Sequence, residues 1–150
     1  MTVTIRPMTI EDYDEVLPLW KSSEGVVVSD ADFRESIDRY LARNRSLSLV
    51  AHDEGLLVAT ALCGHDGRRG FIYHLAVRKE YRRKGIGRRL VEKCLESLSQ
   101  ENIETSFIFL LDNNREGLAF WEKLHWQKLQ WMEHNMIIMG NRMPMQFNAK

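Results

Sequence analysis

The sequence predicts an α/β (α+β) fold in which a mixed sheet of six to seven strands carries about four helices on its two faces. Strand-like and helix-like segments alternate along almost the whole chain, in the order β-α-α-β-β-β-α-β-α-β-β. Residues 47–77 contain three consecutive strand-like runs that are separated by turn signals. A basic loop with two glycines then joins the last run to a strongly periodic helix.

One strand and two helices are predicted in the first third of the chain. The strand covers residues 3–6. Capping pairs start each helix, Thr9 with Asp12 and Ser29 with Asp32. The apolar residues that follow at helical spacing are Tyr13, Val16, Leu17 and Trp20, and then Phe33, Ile37, Tyr40 and Leu41. The segment 22–29 interrupts this pattern with a glycine and three valines, so we expect a loop there.

Three strands of a meander are predicted next. They cover residues 47–52, 56–63 and 71–77, with turn signals at 53–55 and 66–70. Strict alternation along the third strand would place Phe71, Tyr73, Leu75 and Val77 on one face and His74 on the other.

The second half begins with a helix near Ile86 that has one apolar face, formed by Ile86, Leu90, Val91, Cys94, Leu95 and Leu98. A strand at 104–111 is apolar enough to be buried, and a helix follows from Asp112 to about His125. Two short strands are expected near 128–131 and 134–139. Residues 1–140 are therefore predicted to form a single domain, and 141–150 a loosely structured tail.

The composition restricts the class of function. The 150 residues suffice for one domain, and 44% hydrophobic with 28% charged residues is ordinary for a soluble globular protein. A net charge of zero does not favour nucleic acid or membrane partners. The N-terminus lacks the apolar core of a signal peptide, so a cytoplasmic location is expected. Cys63 and Cys94 have no metal-type spacing, which predicts reduced core thiols and no metal site.

Residues 82–87 form the most informative segment, Arg-Arg-Lys-Gly-Ile-Gly. Glycines permit a tight backbone, and a helix N-terminus presents unpaired N–H groups and a favourable dipole to an anion. A bound phosphate group is therefore the favoured interpretation. Residues 78–89 contain seven Lys or Arg and one Glu, which would also suit a solvated basic face. A nucleic-acid surface is disfavoured, because no aromatic ladder accompanies the charges beyond Tyr81.

At this point the chain resembles the GNAT superfamily of acyl-CoA-dependent N-acetyltransferases, both in element order and in two motifs. The first motif is Leu75-Ala76-Val77 at a strand end, followed by the glycine loop. In the second, Asn114 precedes Phe120-Trp121 by six and seven residues, and a Glu-Lys-Leu run follows. Two motifs in the expected elements and order are a far more specific signal than one glycine loop. The resemblance implies a GNAT-like fold with a bulged, splayed strand before a pyrophosphate loop.

The resemblance also implies acetyl-CoA as the donor. Backbone N–H groups of the loop would hold the pyrophosphate, and the preceding strand would pair with the pantetheine arm. The contacts it implies are Leu75, Ala76, Val77, Arg82, Arg83, Lys84, Gly85, Ile86, Gly87, Arg88, Asn114 and Trp121.

Family members transfer the acetyl group directly to an amine, which requires removal of an amine proton and protonation of the leaving thiolate. The family often supplies that acid as a Tyr on the last helix, where this sequence has Trp121, and an indole N–H is not an acid at neutral pH. Tyr73 is the predicted acid and Glu24 the predicted base. The alternatives are a packing aromatic and an exposed loop carboxylate, and a water chain to Glu24, His65 or Asp66 is a third route.

The predicted function is acetyl transfer from acetyl-CoA to a primary amine of a small molecule or peptide. One alternative, favoured by Trp121, is a catalytically weak acyl-CoA-binding regulatory module, and another is a transferase with a different acyl donor. No nucleic acid or membrane partner is expected. The terminal strands and the Met-rich tail are compatible with a homodimer.

Overall fold

The computed structural model describes residues 1–128 and 139–142, which contain one five-stranded mixed sheet in the order β1-β2-β3-β4-β5. Its strands are β1 Val3–Pro7, β2 Leu49–Asp53, β3 Leu56–His65, β4 Gly70–Val77 and β5 Ser106–Phe107. Its helices are α1 Tyr13–Ser22, α2 Arg34–Arg43, α3 Ile86–Gln100 and α4 Arg115–Lys123. Neighbouring strands are antiparallel except β4 and β5, which are parallel. The predicted fold class and its four helices are confirmed.

The count of six to seven strands is not reached within the described residues. The two strands expected near 128–131 and 134–139 fall largely outside them, as does most of the expected tail at 141–150. None of the described helices is long and apolar enough to cross a bilayer.

Two apolar cores lie on opposite faces of the sheet, as the prediction of helices on both faces requires. One core packs α3 against the sheet through Leu90, Val91, Cys94 and Leu98. The other packs α1 and α2 through Val16, Trp20 and Ile37. The predicted apolar faces are thus mostly confirmed. Phe33 differs: it is the N-cap of α2 and is 39% exposed.

The two cysteines are buried and free, as predicted. A hydrogen bond with Cys63 and burial together raise the pKa of the Cys94 thiol. A thiol in that state is not a nucleophile at neutral pH, and both cysteines pack in the core that contains α3.

The strand predicted at 104–111 is much shorter than expected. Only Ser106 and Phe107 pair with β4, and Phe109 and Leu111 are 60% and 41% exposed. Ile108 and Leu110 do pack on the α3 core. The expectation of full burial is therefore wrong, because this segment contacts the core through only one of its two faces.

Both predicted capping boxes are present, at Thr9 with Asp12 and at Ser29 with Asp32, but each opens a short 3-10 turn just before α1 or α2 and not the α-helix itself. In the first, the Asp12 carboxylate also accepts two hydrogen bonds from the Arg6 guanidinium, at 2.7 and 2.9 Å. Burial raises the pKa of Asp12, but the bonds from Arg6 and from the Thr9 N–H outweigh it and lower the pKa below its ordinary value. This pair joins β1 to the start of α1.

Asp12→Asn is expected to lower the melting temperature at pH 7, and to do so less as the pH falls below about 4. A carboxyl whose pKa is lowered by folding stabilises the protein above its unfolded pKa, about 3.9, and loses that contribution as it becomes protonated. Thermal melts of both proteins at pH 7, 4 and 3 measure this. A melting difference that stays constant over that range would contradict the assignment.

Candidate active site

The site begins where β4 separates from β5. The two strands pair only at Gly70 with Ser106 and at Phe71 with Phe107. No described strand continues the ladder beyond this point, so within residues 1–128 and 139–142 nothing pairs with the outer edge of β4 toward its carboxyl end. A parallel sheet edge of this kind presents backbone N–H and C=O groups to a ligand that adds as a strand.

A β-bulge in β4 accompanies this separation, in agreement with the predicted splayed strand. Between the pairs Leu62–Tyr73 and Thr60–Ala76, β4 has one residue more than β3. His74 has the left-handed φ of 49° that accommodates this residue.

The bulge changes which β4 side chains share a face. Leu75 and Val77 pack toward α3, whereas Tyr73 packs toward α1 and α2. His74 lies on the same face as Tyr73, with its ring 4.8 Å from that of Trp20. The predicted common face for Tyr73, Leu75 and Val77, with His74 opposite, is therefore wrong, because alternation does not continue through a bulge.

The predicted phosphate loop follows β4 and leads into α3. Its backbone turns through left-handed conformations at Arg83 (φ 62°) and Gly85 (φ 81°), and Gly85 is the N-cap of α3. The backbone N–H groups of the first helical turn have no intrahelical acceptor. This arrangement combines free donors with the positive end of the helix dipole, as an anion site requires.

The basic side chains of the loop are exposed, and most already have a partner within the chain. Arg82 Nε donates to the Val77 carbonyl at 3.0 Å, and Arg88 Nε donates to Glu92 at 2.8 Å. Lys84 lies over the Tyr81 ring at 5.8 Å. Because Arg82 already donates to the Val77 carbonyl, a ligand that pairs with this carbonyl must use its second lone pair or displace the guanidinium.

Helix α4 packs closely against the loop through Gly87. A Cβ built at Gly87 would lie 3.2 Å from two ring carbons of Phe120 and 3.6 Å from Val77. Ile86 beside it is buried at 2% exposure. Two predicted contact residues thus have a packing role that holds the N-terminus of α3 against β4 and α4.

Asn114 lies at the N-terminus of α4. Its side-chain oxygen accepts a hydrogen bond from Gly117 N–H at 2.9 Å and so caps α4. Its amide nitrogen lies so close to Gly25 that a Cβ there would approach it to 2.5 Å. The α1–α2 loop and the start of α4 therefore touch, and Glu24 is adjacent to this contact.

Trp121 lies in the core and is 7% exposed. Its ring contacts Phe120 at 5.3 Å and Trp126 at 4.7 Å, both edge to face. This placement leaves little of the indole for contact with a ligand, and Phe120 is the aromatic of this pair that meets the loop.

The two predicted catalytic residues lie in different surroundings. Tyr73 is half-buried, and burial raises the pKa of its phenol, which keeps the proton on at neutral pH. Glu24 is exposed. Among the described residues no hydrogen bond joins the two side chains, but Val26 and Val28 of the same loop pack in one cluster with Tyr73.

A buried polar network beside Tyr73 was missed by sequence reasoning. His74 Nε2 lies 2.7 Å from Asp32 Oδ1, and the other oxygen of Asp32 accepts from Ser29 N–H at 3.0 Å. The Thr60 hydroxyl donates to the His74 carbonyl and accepts from Trp20 Nε1, both at 2.9 Å. The network ties the end of the α1–α2 loop to the bulge. His74 and Asp32 are 42 positions apart, and only the bulge brings them onto one face.

No group of three or more His, Cys, Asp or Glu suited to a metal ion occurs within residues 1–128 and 139–142.

Residues 13–126 match the model of the acetyltransferase (GNAT) family. An acetyltransferase of Sodalis glossinidius is 27% identical over 139 residues, which cover 93% of this chain and 94% of that protein. An acetyltransferase of Photorhabdus laumondii is 29% identical over 123 residues, covering 82% and 85%. The crystal structure of a PaiA N-acetyltransferase from Thermoplasma acidophilum with coenzyme A is similar in fold, with a TM-score of 0.73, 19% identity, and coverage of 83% of this chain and 89% of that one.

Proposed function

This chain belongs to the acetyltransferase (GNAT) family and is an acyltransferase, and we propose that it transfers an acetyl group from acetyl-CoA directly to a primary amine of a small molecule or peptide. The observation that supports the donor is the open edge of β4 leading into the glycine loop at the N-terminus of α3. A pantetheine arm can add to such an edge while the pyrophosphate lies on the free N–H groups.

The proposed reaction is a single displacement within a ternary complex. The amine nitrogen forms a bond to the thioester carbonyl carbon, the C–S bond breaks, and the electron pair leaves with the sulfur. The acceptor ammonium must first lose a proton to become nucleophilic, and the nitrogen loses a second proton as the amide forms, while the thiolate gains one. We assign the protonation of the thiolate to Tyr73, whose raised pKa keeps the phenol protonated, and the first deprotonation to Glu24, which acts directly or through water.

A regulatory module that binds acyl-CoA without turnover is the second candidate. It is favoured by Trp121, which stands where the family often has the acidic Tyr and lies in the core. A transferase that uses another acyl donor would share the same loop.

Two measurements test these functions together. Stabilisation in a thermal melt is expected with acetyl-CoA, and release of free thiol is expected when an amine panel is added. Stabilisation without thiol release from any amine would favour the regulatory module. Stabilisation by a longer acyl-CoA alone would favour another donor, and no stabilisation by any acyl-CoA would overturn all three candidates.

Tyr73→Phe is expected to lower kcat about tenfold, less than the roughly 10²- to 10⁴-fold that general acids typically contribute, because a thiolate leaves readily. Since the pKa of Tyr73 is raised above about 10, the wild-type rate should show no decline from Tyr73 ionisation up to pH 9.5.

Glu24→Gln should reduce the rate most near pH 7 and least at high pH, where more acceptor amine is already neutral. Wild-type pH profiles in both variants would remove both residues from the mechanism.

A further inference from the structure

Four aromatic side chains meet where β4 and β5 separate. The rings of Phe71, Tyr73 and Phe109 lie 6.0 to 6.1 Å apart in each pairing, with interplanar angles of 5° to 21°. Phe107 joins them through Phe71 at 6.0 Å. These four residues are called the aromatic surface below.

Three residues of the aromatic surface, Phe71, Phe107 and Phe109, belong to neither core, and Tyr73 packs against the core formed with α1 and α2. Phe109 is 60% exposed, and the other three side chains are partly exposed. The neighbouring Ile108 and Leu110 point to the α3 core instead. A contiguous exposed patch of large apolar rings is uncommon on a soluble protein and typically marks a binding site.

The aromatic surface lies on the side of the site where the acceptor, and not the donor, is expected to bind. Tyr73 packs in one cluster with Val26 and Val28 of the α1–α2 loop. The side chains that follow the bulge, Leu75 and Val77, lie on the opposite face, toward α3. The surface therefore lies on the sheet face against which the predicted acceptor loop also packs, and it contains the residue assigned as the acid.

We propose that the acceptor carries a large apolar or aromatic group next to its primary amine, and that this group lies on the aromatic surface. The inference rests on the proposed transferase function. Removing one such side chain from water favours binding by roughly 10- to 150-fold. Ring faces also attract the cationic amine before it loses its proton. A polyamine or aminoglycoside would place polar, charged segments against the rings, and cation–π contact would offset only part of the hydration that these segments lose.

The test compares kcat/KM for phenylalanine amide, leucine amide, serine amide, a polyamine and an aminoglycoside at one acetyl-CoA concentration. The phenylalanine and leucine amides are expected to exceed serine amide by about tenfold or more. Phe109→Ala should reduce that preference to within a few-fold and leave the KM for acetyl-CoA unchanged. The matched control is Leu56→Ala, which removes an apolar side chain of 44% exposure at the start of β3 and should leave the preference intact.

Several results would overturn the inference. Equal kcat/KM for the phenylalanine and serine amides, or a preference that survives Phe109→Ala, contradicts it while leaving the transferase function in place. A preference for the polyamine does the same. If no amine in the panel is acetylated, the transferase function fails and the inference fails with it. If Phe109→Ala converts a dimer to a monomer in sedimentation without changing the preference, the surface binds a second copy of the chain instead.

Discussion

Gly85→Val is expected to weaken acetyl-CoA binding at least about tenfold. Gly85 has a φ of 81° and no atom within 4 Å of the position that a Cβ would take, so this open space faces outward at the N-cap of α3. A branched side chain there would occupy the space proposed for the pyrophosphate and resist the left-handed backbone. Loss of one hydrogen bond to a charged group, about 1.5–3 kcal/mol, corresponds to about tenfold or more.

The chain offers a closely matched control at Gly67 in the β3–β4 turn. Gly67 has a φ of 93° and the same open surroundings, and it precedes β4, at the end of that strand opposite to the loop. Gly67→Val should therefore cost a similar amount of stability, about 1–2 kcal/mol, and leave acetyl-CoA binding unchanged. Titration calorimetry with acetyl-CoA on both variants measures the difference. Equal losses of affinity would show that backbone strain, and not the loop, accounts for the effect.

Asp32→Ala is expected to destabilise the protein by roughly 2–6 kcal/mol. The substitution removes the acceptor of two hydrogen bonds, from His74 and from Ser29 N–H, at a residue that is 4% exposed. Each buried donor left without a partner costs about 1–3 kcal/mol. For a chain of this size the melting temperature should fall by about 5–20 °C.

Asp32→Ala is also expected to impair the use of acetyl-CoA. Because His74 lies at the bulge, loss of its partner should disturb the β4 edge and raise the KM for acetyl-CoA, even below the melting temperature. Asp14→Ala is the control, since Asp14 is 91% exposed with one 3.7 Å contact to Arg34 and should change stability by less than about 0.5 kcal/mol. A melting temperature for Asp32→Ala within 2 °C of wild type would contradict the importance of this network.

The sequence alone predicted the elements whose signals are local. Capping pairs such as Ser29 with Asp32, and the periodic face of α3, depend on residues a few positions apart, and the structure confirms them. The glycine loop was also placed correctly between β4 and α3. Each of these features depends on residues that are close together in the sequence, because helical periodicity and capping act over only a few residues.

Features that depend on contacts between distant segments were not predictable in the same way. The register shift that moves His74 onto the face of Tyr73 leaves no mark in the alternation of residues 71–77, and it results from pairing with β3. The burial of Trp121 depends on Trp126 and on the orientation of α4. The aromatic surface needed β4 and the segment after β5 to be brought side by side.

The short pairing of β4 with β5 has a consequence for the protein in the absence of its donor. An uncovered strand edge is a template for pairing with another chain, which leads to aggregation. If acetyl-CoA covers that edge, it also shields it, and the folded state gains stability with the logarithm of donor concentration. The concentration of acetyl-CoA would then set how much of the protein is protected from aggregation as well as how much of it is ready to react.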